Sequence, residues 1–149
     1  LKNWVSHGII NWKKLRQYTE RQIKEYKIKA PDCNVTVGSL SGGNQQKAII
    51  ARELDRNEPL VVAVQPTRGL DVGAIEHIHK QLVQERDDGK AILLVSLELD
   101  EVLGLSDRIL VIYEGELVAE LNPKETTPEE LGLYMSGAKR QGKEVEQNA

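Results

Sequence analysis

Apolar positions along this chain fall into three spacings, and each predicts a different kind of element. Over residues 1–30, Leu15, Tyr18, Ile23, Tyr26 and Ile28 roughly follow a helical stripe among many charges, so this stretch is expected to be mostly helical. Trp4, Val5, Ile9, Ile10 and Trp12 form an apolar patch that must pack against something. Pro31 to Gly38 reads as a loop, and an amphipathic run, Ala48 to Leu54, comes after two adjacent glycines. Leu60-Val61-Val62-Ala63-Val64, ended by Pro66, and Ala91-Ile92-Leu93-Leu94-Val95 are continuous apolar runs, the pattern of strands buried on both faces. Between them Thr67 to Asp71 is a polar connector. A helix from about Val72 to Asp88 places Ile75, Ile78 and Leu82 on one side, with Gly89 as its stop. Glu98 to Leu105 reads as a short helix. Ile109–Tyr113 and Glu116–Leu121 flank Glu114-Gly115, a hairpin signature. Thr127-Pro128-Glu129-Glu130 is a capping box with proline at the first helical position, opening a helix through about Met135. From Gly137 the sequence is polar and rich in Gly, Lys and Glu, and is expected to be disordered.

Strand–helix–strand alternation implies an α/β fold with a mainly parallel sheet flanked by helices and right-handed crossovers. No internal repeat is apparent. In such sheets ligands sit beyond the carboxyl ends of the strands, here Val64-Gln65 and Ser96-Leu97.

Composition narrows the class. With 149 residues, 40% apolar and 29% charged, the chain suits one soluble domain with a real core, built from aliphatic side chains because Phe is absent. A net charge of −3 gives no reason to expect bulk electrostatic binding to nucleic acid or anionic lipid. No apolar run approaches the roughly 20 residues needed to span a bilayer, and no secretory signal precedes the first helix. Cys33 is alone, so no intrachain disulfide can form and a reducing cytosol is the default.

The strongest chemical signal is Leu40-Ser41-Gly42-Gly43-Asn44-Gln45-Gln46-Lys47. A helix start leaves N–H groups without partners and carries a partial positive charge, for which phosphate oxygens are natural acceptors. Glycines let the backbone come within hydrogen-bond distance of an anion. Alone, the pattern also fits an ordinary loop-to-helix junction.

Taken with the strands and turns downstream of it, this segment resembles the nucleotide-binding domain of ATP-binding-cassette (ABC) transporters. Leu40 to Gln45 looks like the signature motif, Leu60 to Pro66 lies where the Walker B strand belongs, Gly69-Leu70-Asp71 looks like the D-loop, and Val95-Ser96-Leu97 occupies the switch-histidine loop. The wording Gln65-Pro66-Thr67-Arg68-Gly69-Leu70-Asp71-Val72-Gly73-Ala74, with Asn44 and Ser96 to Val102, is similar to the second cassette of tandem ATPase subunits serving importers of simple sugars and nucleosides, the nucleoside branch best. No G-x-x-x-x-G-K-[S/T] occurs, so the phosphate loop of that family is missing. The resemblance therefore implies the C-terminal part of a cassette, a partial P-loop NTPase fold. Residues 1–38 would be the remainder of the helical subdomain, 39–136 the C-terminal part of the ATPase core, and 137–149 a disordered tail.

The resemblance places Val64 at the metal-side aspartate, Gln65 at the general-base glutamate and Leu97 at the switch histidine. Valine cannot hold a metal-bound water, glutamine can orient a water but has no basic lone pair, and leucine offers neither donor nor acceptor. A general base is worth about 10²–10⁴-fold in rate, so this cassette's own site is expected to be hydrolytically weak or dead, with no metal ligand of its own. A one-residue slip would instead make Glu58 or Asp55 the acid, a reading that Pro66-Thr67 opposes. Ser41, Gly42 and Gly43 would cap the γ-phosphate of ATP held by a partner cassette, with Asn44 and Gln45 also among the nucleotide-binding residues, and Asp71 would reach across the same interface; Asp71 can equally cap the helix that starts at Val72. The implied cofactors are ATP and Mg2+ in the full dimeric assembly and none for the isolated piece. The implied partners are a second cassette, membrane permease subunits and, indirectly, a solute-binding protein, on the cytoplasmic side of the membrane and without nucleic acid.

Other residues take plainer readings. His77 and His79 are two apart on a helix and cannot share one metal, so both read as solvated helix residues, and His7 has no partner pattern. Lys47, Arg52 and Arg56 read as a solvated basic stripe, and Trp4 and Trp12 as core or interface. Two other functions remain open on the sequence alone: a non-transport cassette protein acting on nucleic acid or ribosomes, and a pure interaction module without chemistry.

Overall fold

The computed structural model describes residues 4–6 and 9–141. They form, in order, β1 (Val5–Ser6), β2 (Ile9–Ile10), α1 (Trp12–Glu25), α2 (Gly42–Leu54), β3 (Leu60–Val64), α3 (Val72–Asp87), β4 (Ala91–Val95), α4 (Leu99–Leu105), β5 (Ile109–Tyr113), β6 (Glu116–Leu121) and α5 (Pro128–Met135). The chain divides into two compact units, one drawn from residues 1–61 and 66–92, the other from 62–65 and 93–149. Within the first unit α1 and α2 are tied together: Gln22 Nε2 and Arg21 donate to Asp55 Oδ1 at 3.1 and 3.3 Å.

The first unit opens differently from the expected helix. β1 and β2 pair antiparallel, Val5 opposite Ile10, and the helix starts only at Trp12. Asn11 sets that boundary, since its Oδ1 accepts from Lys14 N–H at 3.0 Å, and the β-branched Val5, Ile9 and Ile10 favour an extended backbone. Of the apolar patch, Trp4 stacks on Tyr18 with ring centroids 4.3 Å apart, whereas Ile9 and Trp12 stay 74% and 70% exposed, so Trp12 is not core. The buried apolar side chains of this unit include Tyr26, Ile28, Ile50, Ala51, Leu54, Ala74, Ile78 and Leu82, and Gln22, Thr67 and Lys47 are buried as well, so Lys47 is not the solvated residue expected. α3 begins at a true cap, Asp71 Oδ1 accepting from Ala74 N–H at 2.9 Å.

His77 is not the solvated helix residue expected. It is half-buried, its ring meets the Tyr26 ring edge-on at 5.6 Å, and its Nε2 is buried with no hydrogen-bond partner. Burial first, then the charges of Lys27 and Lys47, hold its pKa below the usual histidine value. His79 is half-buried as well, and His7 lies outside the described residues.

β3 and β4 are hydrogen-bonded neighbours running in the same direction: Ala91 N–H donates to Pro59 O at one end (2.9 Å) and Gln65 N–H to Val95 O at the other (2.8 Å). Burial alternates along both strands, correcting the expectation of strands buried on two faces. Val61, Ala63, Ile92 and Leu94 are half-buried, while Leu60, Val62, Val64, Leu93 and Val95 are exposed. No described residue covers that second face, so a sequence suited to two packed sides shows one open.

The second unit is built on the antiparallel β5–β6 hairpin, whose turn places Glu114 and Gly115 at φ 48° and 80°. Ile109, Val111, Val118 and Ala119 pack with Leu131 and Tyr134 of α5, and Val102 and Leu103 of α4 lie against them. Thr127 caps α5, its Oγ1 accepting from Glu130 N–H at 3.2 Å. Of the tail expected to be disordered over 137–149, residues 142–149 lie outside the described residues and 137–141 are described. The latter fold back along the hairpin, with Gln141 N–H on Val118 O and Glu120 N–H on Gln141 Oε1, both at 2.8 Å. Lys139 pairs with Glu130, and Arg140 with Glu116, at 2.6 Å each. Gly137 permits the return: its φ is +75°, and a Cβ there would sit 2.3 Å from the Tyr113 ring.

Candidate functional site

The signature segment forms the first turn of α2. Ser41 is its N-cap in extended conformation, yet no side chain caps the turn. Instead the Ser41 Oγ accepts from Asn44 Nδ2 at 2.8 Å. A hydroxyl that is already accepting keeps its own proton to donate. Ser41 and Gly42 are exposed, with open space where a Gly42 Cβ would stand, so the start of the helix is accessible to an anion.

Asn44 and Gln45 serve the loop itself. Asn44 Oδ1 accepts from Lys29 N–H at 2.8 Å, fixing the amide so that Nδ2 faces Ser41. Gln45 Nε2 donates to Leu40 O at 2.8 Å, directing its side chain back toward the loop it follows. Gln46, just past the Leu40–Gln45 signature resemblance, donates from Nε2 to Pro66 O at 3.2 Å. Gly43 lies against the same turn: a Cβ there would be 3.2 Å from Gly69 O and 3.5 Å from Leu70 Cδ2. An added Cβ would make the neighbouring turn give by a few tenths of an ångström, which glycine avoids. Asp71, at the end of that turn, caps α3 through Ala74. The first unit thus brings together Ser41, Gly42, Gly43 and the turn that carries Asp71.

The strand ends belong to the second unit. Gln65 closes β3 with φ +49°, a left-handed conformation sparsely populated by residues other than glycine. Val64 is 61% and Leu97 72% exposed, both purely apolar. Ser96 turns its Oγ to accept from Glu98 N–H at 3.0 Å, opening α4. These positions contain no carboxylate and no imidazole. Neither alternative acid replaces them. Asp55 is held by Arg21 and Gln22, and burial together with its hydrogen bond pushes the Tyr18 phenol up to about 12. Glu58 precedes β3, at the opposite end of that strand from Gln65. Among the described residues no three His, Cys, Asp or Glu side chains gather to hold a metal ion. No helix among the described residues is long and apolar enough to cross a membrane.

No family model matches the chain. It is 53% identical over 92% of its length to the guanosine import ATP-binding protein NupO of Bacillus subtilis, covering 27% of that protein. It is 51% identical over 88% of its length to the nucleoside import ATP-binding protein NupA of Lactococcus lactis, covering 26% of it. Among solved structures, a dimeric post-hydrolysis state of the ATP-binding cassette MJ0796 bound to ADP and Pi superposes with a TM-score of 0.69 and 28% identity, over 79% of this chain and 51% of that one. An ATP-binding subunit of an ABC transporter superposes with a TM-score of 0.70 at 18% identity, over 84% and 55%, a likeness of fold. The chain belongs to the ABC ATPase family, similar over about nine-tenths of its length to the ATP-binding subunits of nucleoside and simple-sugar importers, of which it spans about a quarter.

Proposed function

We propose that this chain is the C-terminal part of the second cassette in the tandem ATP-binding subunit of an importer for nucleosides or simple sugars, and that it completes a nucleotide site on the partner cassette. The observation that carries this reading is a contrast within one chain. The Ser41–Gly43 turn is accessible and uncapped, whereas the strand ends carry Val64, Gln65 and Leu97, which offer neither acid nor base. Ser41 Oγ–H and the first N–H groups of α2 would donate to the γ-phosphate of ATP bound by the other cassette, with Asp71 facing the same interface. Gln65 can orient a water and cannot accept its proton. Mg2+ and the hydrolytic carboxylate would then be supplied by the partner's residues. Two sites of unequal power follow, one competent and one that binds without turnover. The higher identity to guanosine and nucleoside import proteins than to a glucose import protein of Haloferax volcanii (45%) supports a nucleoside cargo. The assembly would work from the cytoplasmic face with permease subunits and, indirectly, a solute-binding protein.

The test is ATPase activity of the full-length polypeptide carrying this sequence. Ser41→Ala lowers turnover by about 10²-fold, the usual effect of losing one donor to developing charge, whereas Gln65→Ala leaves it within about 2-fold. Loss of most turnover in Gln65→Ala overturns the asymmetry. Isolated, the chain contains no phosphate-loop sequence and is proposed to act only as an interaction module; calorimetry detecting tight ATP binding to it would contradict this.

A further inference from the structure

The start of α2 is open to solvent and has no side-chain cap, yet it must hold a fixed place if it is to meet a ligand. Its anchoring comes from the turn after β3. Gly43 and Gln46 are three residues apart, so they share one side of the helix. Gly43 rests against Gly69 O and Leu70, and Gln46 Nε2 donates to Pro66 O at 3.2 Å in a partly buried position. Pro66 is buried, so its carbonyl loses a partner if that amide is removed. The turn is closed on itself by Leu70 N–H donating to Thr67 O at 3.1 Å, and it ends in Asp71, the cap of α3. Asn44 directs its amide to Ser41 and Lys29, and Gln45 directs its own to Leu40. Of the three consecutive amides, Gln46 is the one that reaches the Pro66–Asp71 turn.

We infer that Gln46 is a positioning residue: its hydrogen bond to Pro66 O makes the opening turn of α2 and the Pro66–Asp71 turn move as one body. Ser41–Gly43 and Asp71 then keep a fixed spacing, so neither can be displaced toward or away from a ligand without the other. The coupling of the two turns stands on geometry; its effect on turnover rests on the function proposed above.

The experiment compares Gln46→Met, which keeps the length and removes the donor, with Gln46→Lys, which restores a donor of similar reach. In the chain itself, amide exchange of the Thr67–Asp71 turn, read at Leu70, is expected to quicken about 3- to 10-fold in Gln46→Met, the worth of one hydrogen bond. Exchange in the body of α3 stays unchanged, and Gln46→Lys returns the turn toward the original rate. In the full-length ATPase, Gln46→Met is expected to lower kcat several-fold with KM for ATP within about 2-fold. Unchanged exchange at Leu70, or uniform acceleration across both helices, overturns the inference while leaving the proposed function intact. Local acceleration with unchanged kcat overturns the link to turnover if Ser41→Ala is inactive. If Ser41→Ala is fully active too, the proposed function itself has failed.

Discussion

The opening turn of α2 and the ends of β3 and β4 are assembled from similar loops, but their chemistry resides in different parts of the chain. At α2 the donors are backbone N–H groups and one hydroxyl, and neighbouring side chains brace them: Asn44 on Ser41, Gln45 on Leu40 and Gln46 on Pro66. At the strand ends, on the function proposed above, the family's chemistry would sit entirely in side chains, which Val64, Gln65 and Leu97 would not supply. The backbone there nevertheless keeps an unusual shape, with Gln65 left-handed at φ +49° and its N–H still on Val95 O. A site made of backbone dipoles persists as long as its fold does. A site made of acid and base can vanish through single side-chain changes that leave the main chain in place.

The comparison breaks most visibly at Gly43. Gly43→Val places side-chain atoms where a Cβ already meets Gly69 O at 3.2 Å, and phosphate release by the full-length ATPase should fall by at least about 100-fold. Retention of a tenth of the activity would show that the close approach is dispensable.

A second test asks whether the hairpin unit is scaffold alone. Gly137→Ala combines a left-handed φ with a Cβ 2.3 Å from Tyr113, and should cost about 1–3 kcal/mol, read as a shift of the urea midpoint. An unchanged midpoint would mean that residues 137–141 contribute nothing to that unit's stability.

The third concerns His77, whose pKa is depressed by burial and by Lys27 and Lys47. The unfolded chain takes up the proton first, so His77 favours folding fully above its unfolded pKa of about 6.5 and loses that contribution as pH falls toward the folded value. Thermal melts between pH 7.5 and pH 5 should show a smaller acid-induced drop for His77→Phe than for the original chain. Equal drops would mean that His77 carries none of the pH dependence.

The smallest effect is expected at Gln65→Gly. Relief of the left-handed strain should offset the added chain entropy, leaving stability within about 1 kcal/mol and ATPase activity within about 2-fold. A large loss of either would give the Gln65 side chain a role that its chemistry does not suggest.

Much of this architecture is legible from the residues. Asp71, Thr127 and Glu114-Gly115 announce their caps and turn because those signals act over four residues or fewer. The β1–β2 hairpin escapes notice because a helical stripe beginning at Leu15 can be extended backward until Asn11 is recognised as its cap. Burial of His77 depends on Tyr26, fifty-one residues earlier, and no local spacing contains that contact. Residues 137–141 look like a solvated tail since their anchors, Glu130, Glu116 and Val118, lie on other elements. Gln46 is hidden among three consecutive amides whose different partners only the fold distinguishes.

The returning segment at residues 137–141 has one more effect. By occupying Val118 O and Glu120 N–H it caps the margin of β6, where a foreign strand could otherwise dock through its main chain. Fibre-like propagation from that margin is blocked at those groups. Unwanted self-adhesion of this polypeptide should begin instead at the greasy ridge of Leu60, Val62, Val64, Leu93 and Val95.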